Sequence, residues 1–345
     1  MDISKINTIV LSGGGTKGIS YVGFFNSLFK HINKEQIKHY IGVSAGAMFA
    51  LCIVLNYTID DIKKILFKYD FNKVIPDLNN IDNLFLNYGL SDGSEMKKLI
   101  TDIIEYKIGI DNINITFKEL YEKTKIQLTM VVTNFTLQVV EYWNHVNTPD
   151  FSVLDGILAT TRVPLFFTPL NINNNHYLDG GIINNYPIDF IPIENVECVI
   201  GVCLTSRKDI ENVKNLFDKD NKYDKIITYI IDVLMLTYDS KLITINQKYI
   251  ERTLQFQTSF SNFLDVNLSE CVKNKMIEDA VSNTEIFLQK FSKPIINSII
   301  DNIIDNIEGT IVDIIDSDNK KDQNDVLITK KNSICNPIIE NNFAN

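Results

Sequence analysis

Two short apolar segments near the N-terminus each run into small residues, and a helical pattern follows each one. Residues 6–11 lead into the glycine loop of residues 13–18, and "HYIGV" leads directly into Ser44. Apolar side chains at helical spacing predict helices over residues 19–29 and 45–55. A strand, a tight turn and a helix in succession, twice over, are typical of α/β folds with parallel strands. The sequence therefore predicts an α/β fold with a mostly parallel central sheet.

The patterns beyond Leu55 extend this fold. Residues 57–120 read as helices and loops. The apolar runs at 125–135, 138–146 and 197–206 predict further strands of the sheet.

We expect one large domain over residues 1–292, with its core motifs in residues 5–206 and a helical C-terminal part in residues 207–292. Residues 293–316 carry isoleucines at helical spacing opposite an acidic face and predict an amphipathic helix. The polar stretch 317–345 is typical of a disordered tail.

Composition excludes some classes of partner and favours a compartment. The chain has 345 residues and a formal net charge of −10, which argues against nucleic acid as a partner because phosphate binding needs a basic face. The five cysteines show no pairing pattern and favour a reducing compartment. The N-terminal residues lack a signal-peptide pattern, and the longest apolar stretch, residues 41–55, is too short for a membrane span. We expect a cytoplasmic or peripheral membrane protein.

The glycine loop "GGGTKG" is open to more than one interpretation. Residues 13–18 satisfy G-x-G-x-x-G between a strand and a helix, which is typical of dinucleotide-binding proteins. That reading requires a carboxylate at the end of the second strand, where this chain has Ser44. A phosphate-binding P-loop requires Ser or Thr after its lysine, and Lys17 is followed by Gly18. A glycine turn without a ligand remains the third interpretation.

The pentapeptide "GVSAG" is the second feature with chemical meaning. A G-x-S-x-G sequence places a serine on a turn between strand and helix that only small flanking residues permit, so its hydroxyl projects at the helix N-terminus. The pattern predicts that Ser44 is a nucleophile.

A serine nucleophile needs a base, and the histidines do not supply one in the usual order. The chain has four histidines, and the last of them is His176. The α/β-hydrolase triad has its histidine late in the sequence, after the acid. We expect His176 to face solvent in the asparagine-rich turn "NINNNHY". A serine–histidine–acid triad is therefore not favoured. The other histidines are His31, His39 and His145.

Asp179 offers the alternative base. It follows a strand-like segment and precedes two glycines that permit a tight turn, so an ordinary Asx turn is the competing interpretation. A carboxylate is a weak base for an alcohol. A Ser44–Asp179 dyad therefore needs an oxyanion hole for the tetrahedral intermediate, and the amides of the glycine loop can supply one.

Together the three motifs resemble the patatin-like phospholipase family. "GGGTKG" is similar to its oxyanion loop, "GVSAG" to its nucleophile elbow, and "DGGIINNYPI" to the segment that carries its aspartate. The intervening blocks "YGLSDGSEMKKLI", "LTMVVTNFT" and "TPDFSVLDGILATTRVPLFFTPL" resemble the family in the same order, so that the resemblance covers residues 5–290. It implies a three-layer α/β/α sandwich with a C-terminal helical extension, and hydrolysis of fatty-acyl esters of lipids or phospholipids by a Ser–Asp dyad.

The resemblance assigns roles to particular residues. Ser44 is the expected nucleophile and Asp179 the expected general base. Lys17 stands where members carry a basic residue, and is expected to fix the loop or attract a phosphate head group. The expected oxyanion donors are the amides around Gly13, Gly14 and Gly15. The motif glycines are Gly18, Gly42, Gly46, Gly180 and Gly181.

The chain departs from the family at two positions. Ser12 replaces an aspartate of plant members, and Arg162 stands in a block of small residues, where packing or head-group contact is expected to differ.

The family resemblance implies no metal and no cofactor. Its substrate is reached from a membrane surface, with residues 57–95 and 206–245 as candidate cap segments. Some virulence-associated members need an activating host protein, so that class of partner stays open.

Two other function classes remain open from the sequence. One is a catalytically silent member that binds lipid or acts as a scaffold, which the intact Ser44 and Asp179 argue against. The other is a dinucleotide-binding protein, which the missing ribose carboxylate argues against.

Overall fold

The computed structural model describes residues 2–74, 81–206, 245, 247–258 and 268–291. The predicted helix at 293–316 and the predicted tail at 317–345 lie outside these residues, as does almost all of the candidate cap segment 206–245. The division of the chain into domains therefore stays a prediction. Within the described ranges, no helix is both long and apolar enough to cross a membrane.

The described part of the chain contains ten strands. Eight of them form one sheet in the order β10-β9-β1-β2-β4-β8-β7, with β5 also paired to β4. The pairs from β10 to β4 are all parallel, whereas β5, β7 and β8 join by antiparallel pairs. The strands are β1 (Thr8–Leu11), β2 (His39–Gly42), β3 (Gly89–Ser91), β4 (Gln127–Asn134), β5 (Val139–Trp143), β6 (Leu165–Phe167), β7 (Leu170–Ile172), β8 (Asn175–Asp179), β9 (Val199–Ser206) and β10 (Thr253–Thr258). Strands β3 and β6 form a separate parallel pair.

The helices connect the strands, and their sequences define several of the ends. Two of them begin with a capping box, in which Thr58 with Asp61, and Thr116 with Glu119, satisfy the first free amides. The helices are α1 (Ser20–His31), α2 (Ala45–Val54), α3 (Ile59–Lys68), α4 (Ile81–Asn87), α5 (Ser94–Ile108), α6 (Phe117–Thr124), α7 (Val153–Thr160), α8 (Gly181–Asn184), α9 (Gln247–Ile250) and α10 (270–291).

Both faces of the sheet are covered. Successive side chains of a strand point to opposite faces, so the apolar strands of a parallel sheet need a core on each side. In β1, Ile9 and Leu11 face a large core with the helices, whereas Val10 belongs to a second core. The second core packs the sheet against the segment that contains Tyr186 and Ile188. The mixed α/β fold with a mostly parallel central sheet is confirmed.

Strand β4 brings the ends of two other strands together. Parallel β2 ends with Gly42 opposite Met130, and antiparallel β8 ends with Asp179 opposite Val132. Strand β5 pairs with residues of β4 at both positions, so it occupies one edge and β2 and β8 share the other. The carboxyl ends of β2 and β8 therefore meet on either side of Val131.

One strand differs from the sequence prediction. The sequence predicts a helical C-terminal part over residues 207–292. Within it, the structure places a strand, β10, which pairs with β9 at the edge of the described sheet. Its Leu254 and Phe256 are buried, whereas Gln255 and Gln257 face solvent. This alternation is typical of an edge strand with one buried face. Residues 270–291 of the C-terminal part that was predicted to be helical form α10.

Candidate active site

Ser44 lies at a sharp turn between β2 and α2. Its φ of +52° is unusual for a residue with a side chain, and such strain is typical of functional positions. A Cβ on Gly42 would lie 2.5 Å from the Ala47 backbone, and one on Gly46 would lie 2.5 Å from the Leu11 and Ser12 carbonyl oxygens. The turn therefore forms only because both flanking positions are glycine.

Asp179 is the last residue of β8 and has no solvent exposure. Its Oδ1 accepts a hydrogen bond of 2.8 Å from the Gly181 amide. Its own amide donates to the Arg162 carbonyl at 2.9 Å, and its carbonyl accepts from Thr133 Oγ1 at 2.9 Å. A Cβ on Gly180 would collide with the Val131 carbonyl of β4, so the backbone leaves the strand only at a glycine.

The environment of Asp179 makes its carboxyl group an unusually strong base. Burial raises the pKa of Asp179 from 3.8 to about 7, and the Gly181 amide and the Ser44 hydroxyl partly oppose that rise. Ser44 is near enough to lower the pKa but is not at full hydrogen-bond geometry. Within the described residues Oδ2 has no hydrogen-bond partner. Loose contacts of this kind are common in sites without substrate.

The glycine loop is tied to the segment that follows Asp179. The Gly13 amide donates to the Asn185 carbonyl at 3.2 Å, and Asn185 Nδ2 donates back to the Gly13 carbonyl at 3.4 Å. The Gly13 amide is thus already engaged, which narrows the expected set of oxyanion donors. Ser12 adds a second tie, because its Oγ accepts from the Leu204 amide at 2.9 Å.

Three further amides belong to the two turns next to Ser44, and Gly15 and Ala45 line the cavity beside it. Gly14 and Gly15 begin a short 3₁₀ helix, and Ala45 begins α2, so their amides lack an intrahelical acceptor. Among the described residues these three amides have no hydrogen-bond acceptor. The Ala45 amide was not predicted from the sequence, although the residue after a nucleophile commonly contributes to the oxyanion hole.

The other residues of the glycine loop support its shape. Lys17 is buried, and its side chain does not line the cavity beside Ser44. A Cβ on Gly18 would lie 3.3 Å from the Ala45 Cβ, so the loop packs tightly on the nucleophile turn. Gly181 supplies the amide that holds the Asp179 carboxylate.

Arg162 has a packing position and does not face the cavity. Its guanidinium donates from Nη1 to the Asp92 carbonyl at 2.6 Å and lies 5.8 Å from the centroid of the Phe167 ring. Gly93, with a φ of +78°, leaves room for that guanidinium. Arg162 therefore anchors the loop after β3.

Thr160 is a residue of the site that the sequence analysis missed. Its Oγ1 accepts from the Ser44 amide at 3.0 Å and donates to the Val131 carbonyl at 2.6 Å. Since the Arg162 carbonyl accepts the hydrogen bond of the Asp179 amide, the end of α7 and the residues directly after it hold both Ser44 and Asp179. The only sequence signal was a pair of threonines at the end of an apolar helix.

A cavity of about 190 Å³ opens beside Ser44. Its wall is almost entirely apolar, and α2, α3, α5 and β6 contribute most of it. Part of the candidate cap segment 57–95 belongs to this wall, including Ile62, Phe71 and Val74. An apolar cavity of about 150 Å³ is enough to take up benzene, so this one can hold part of a hydrocarbon chain.

The four histidines are not part of this arrangement. His176 lies on the exposed β7–β8 hairpin near Asn171, as expected, and His31 pairs with Glu285 at 2.7 Å. His39 bonds Thr129 at 2.8 Å, at the end of β2 opposite to Ser44. None of the four histidines lines the cavity.

The fold and the site define a class: an α/β protein with a serine at a strained turn, a buried carboxylate beside it and an apolar cavity. The family model described as patatin-like phospholipase matches residues 9–191, more than half of the chain. The chain belongs to the patatin-like phospholipase family.

The chain is also similar to individual proteins. A probable lipid hydrolase of Invertebrate iridescent virus 6 is 35% identical over 185 residues, which is 53% of this chain and 62% of the viral protein. The uncharacterized protein YqhO of Bacillus subtilis is 25% identical over 301 residues, which is 82% of this chain and 98% of that protein. The structure of VipD from Legionella pneumophila has a similar fold, with a TM-score of 0.53 and 18% identity over 83% of this chain and 67% of that one.

Proposed function

We propose that this protein hydrolyses fatty-acyl ester bonds of lipids, with Ser44 as the nucleophile and Asp179 as the general base. Ser44 Oγ attacks the acyl carbonyl while Asp179 Oδ2 accepts the hydroxyl proton. The tetrahedral intermediate collapses, Asp179 returns the proton to the departing alcohol oxygen, and an acyl-serine remains. Asp179 then accepts a proton from water as the water oxygen attacks the acyl-serine; the second tetrahedral intermediate collapses to release the fatty acid, and Asp179 returns the proton to Ser44 Oγ.

The negative oxygen of each tetrahedral intermediate needs hydrogen-bond donors. We assign this role to the amides of Gly14, Gly15 and Ala45. The glycine loop and α2 hold these amides in place, so they need no rearrangement during the reaction. Preorganised donors of this kind contribute a large share of catalysis in acyl transfer. Gly13 supports the loop through Asn185 instead of donating to the oxygen.

The observation that carries the proposal is the pairing of Ser44 with a base whose pKa is raised to about 7. A carboxylate with its ordinary pKa is a poor proton acceptor for an alcohol, and burial removes much of that disadvantage. The apolar cavity on the same side of Ser44 fits an acyl chain and explains why the ester is that of a lipid.

The route of the substrate is also part of the proposal. The acyl chain enters from a membrane or micelle surface, because lipids with long chains are scarce in free solution. A protein activator remains a prediction for a separate test.

The test compares the purified wild type with Ser44→Ala on 4-nitrophenyl esters and on a fluorescent phospholipid in vesicles. We expect turnover by the wild type and none by Ser44→Ala. Ser27→Ala is the matched control, because Ser27 is buried and donates to Glu285 on α10, away from the cavity. Equal turnover by the wild type and Ser44→Ala would refute the assignment of the nucleophile.

The two other function classes predict no turnover by the wild type and are identified by binding measurements. A silent lipid-binding member binds vesicles in both forms without any turnover. A dinucleotide-binding protein retains NAD or FAD, but the end of β2 carries Ser44 where the ribose carboxylate belongs.

A further inference from the structure

One face of α2 forms a continuous wall of the cavity. The residues of α2 and its N-cap on this wall are Ser44, Ala45, Met48, Phe49 and Cys52, which follow helical spacing. Eight residues separate Ser44 from Cys52, and an α-helix rises about 1.5 Å per residue, so the wall is about 12 Å long. The cavity is thus elongated along α2, with the nucleophile at one end.

The other end of the cavity is closed in the described part of the chain. Tyr57 donates its amide to the Cys52 carbonyl at 2.9 Å and its hydroxyl to the Ile103 carbonyl at 2.8 Å. It therefore links the end of α2 to α5 behind the two lining side chains. Cys52 and Ile103 are only 6% and 7% exposed, whereas Leu66 and Met96 on the long side of the cavity are half-buried.

The wall offers few polar groups away from Ser44. Burial raises the pKa of the Cys52 thiol to about 12, so the thiol stays neutral and acts as a small apolar group. The ammonium of Lys273 donates to the Leu66 carbonyl at 3.0 Å and lies 5.4 Å from the centroid of the Phe67 ring. A polar head group inside would lose its hydrogen bonds to water without replacement.

We propose that this cavity is a blind acyl pocket, in which Cys52 and Ile103 form the end wall and set the acyl-chain length that the enzyme prefers. The inference rests on the proposed function. Carbon–carbon bonds of about 1.5 Å advance an extended chain by about 1.25 Å each, so 12 Å holds about ten carbons. The pocket therefore takes saturated acyl chains of medium length completely, and longer chains leave their ends outside.

The test measures kcat/KM for 4-nitrophenyl esters with even-numbered acyl chains from two to sixteen carbons, below their micelle concentrations. Each buried methylene is worth about 0.8 kcal/mol, or about fourfold in kcat/KM. We expect kcat/KM of the wild type to rise by about that factor per methylene and to stop rising near ten carbons.

Two substitutions at the end wall move this limit in opposite directions. Cys52→Phe shortens the pocket and lowers the ratio of decanoate to butyrate kcat/KM by at least tenfold. Cys52→Ala lengthens it and moves the limit toward longer chains. The ratio is measured within one variant, so a smaller folded fraction does not change it. Cys271→Phe is the matched control, because Cys271 is exposed on α10, and it keeps the wild-type ratio.

The outcomes separate this inference from the proposed function. If Ser44→Ala is inactive but both Cys52 variants keep the wild-type chain-length profile, the end wall is assigned wrongly and the hydrolase mechanism stands. If Ser44→Ala keeps full activity, the proposed function itself fails. A wild-type profile that is flat from four to twelve carbons also overturns the acyl pocket.

Discussion

Replacement of Asp179 by Asn should abolish hydrolysis and at the same time stabilise the fold. Asn has the shape of Asp, keeps an oxygen for the Gly181 amide and carries no charge. The wild-type carboxylate loses its hydration when the chain folds, because Asp179 is completely buried. An uncharged amide at the same place avoids this cost, and active sites often sacrifice stability in this way.

The magnitude follows from the pKa of Asp179. A rise from 3.8 to about 7 means that the folded protein binds this proton more tightly than the unfolded chain does. Stability is therefore lost as the pH rises from about 4 to about 7 and changes little above that. At about 1.4 kcal/mol per pKa unit, ionised Asp179 costs the fold about 4 kcal/mol at pH 8 and about 2 kcal/mol at pH 5.

The assay is urea or thermal unfolding of the wild type and Asp179→Asn at pH 5 and pH 8. We expect Asp179→Asn to be more stable by about 4 kcal/mol at pH 8, which for a chain of this size is about 6 °C in the melting midpoint. The gain should shrink to about half at pH 5. Groups other than Asp179 titrate in both proteins and cancel in the difference.

Ser44→Ala is the control that separates charge from catalysis. It removes the nucleophile but leaves the Asp179 carboxylate buried, so it loses activity without a gain in stability that grows with pH. An Asp179→Asn variant that is less stable than the wild type at pH 8, or whose gain is the same at both pH values, would refute the reasoning about desolvation.

Two further predictions concern the same pair of residues. The kcat/KM of the wild type should rise about tenfold per pH unit below pH 7 and level off above it, because only ionised Asp179 accepts the proton of Ser44; a half-maximum near pH 4 would contradict the raised pKa. Thr160→Val should lower kcat about 10²-fold with little change in KM, since the Ser44 amide loses its acceptor and the nucleophile shifts. Thr160→Ser should restore most of the activity, and Thr284→Val, which loses only a helical hydrogen bond to Ala280, should keep it; full activity in Thr160→Val would show that the hydroxyl does not position Ser44.

The sequence predicts well those parts of the site that depend on local backbone geometry. The sharp turn at Ser44 was predicted because only small residues fit at Gly42 and Gly46, and the tight turn after Asp179 because two glycines follow a strand-like segment. These requirements act over a few residues and are therefore visible as motifs. The strand–turn–helix units around the glycine loop and around Ser44 were predicted for the same reason.

Contacts between distant segments could not be predicted from local sequence motifs. The support of Ser44 by Thr160 spans 116 positions, and the use of the Gly13 amide by Asn185 depends on two loops that meet only in the fold. The edge strand β10 was missed because a helical pattern leads up to it, although Leu254 and Phe256 alternate with glutamines. In each case the deciding partner lies far away in the chain.

The register of β4 explains why Ser44 and Asp179, which come from distant segments, lie so close together. Strand β2 ends opposite Met130 and β8 ends opposite Val132, so one residue of β4 separates the ends of these two strands. The carbonyl of that residue, Val131, accepts the hydrogen bond from Thr160 and lies against Gly180. A shift of either strand by one residue would reverse its side-chain direction and separate Ser44 from Asp179. The sheet therefore sets the relative positions of Ser44 and Asp179 in the proposed dyad, and the strained turn and the buried carboxylate persist because the strand pairing on both sides of Val131 holds them in place.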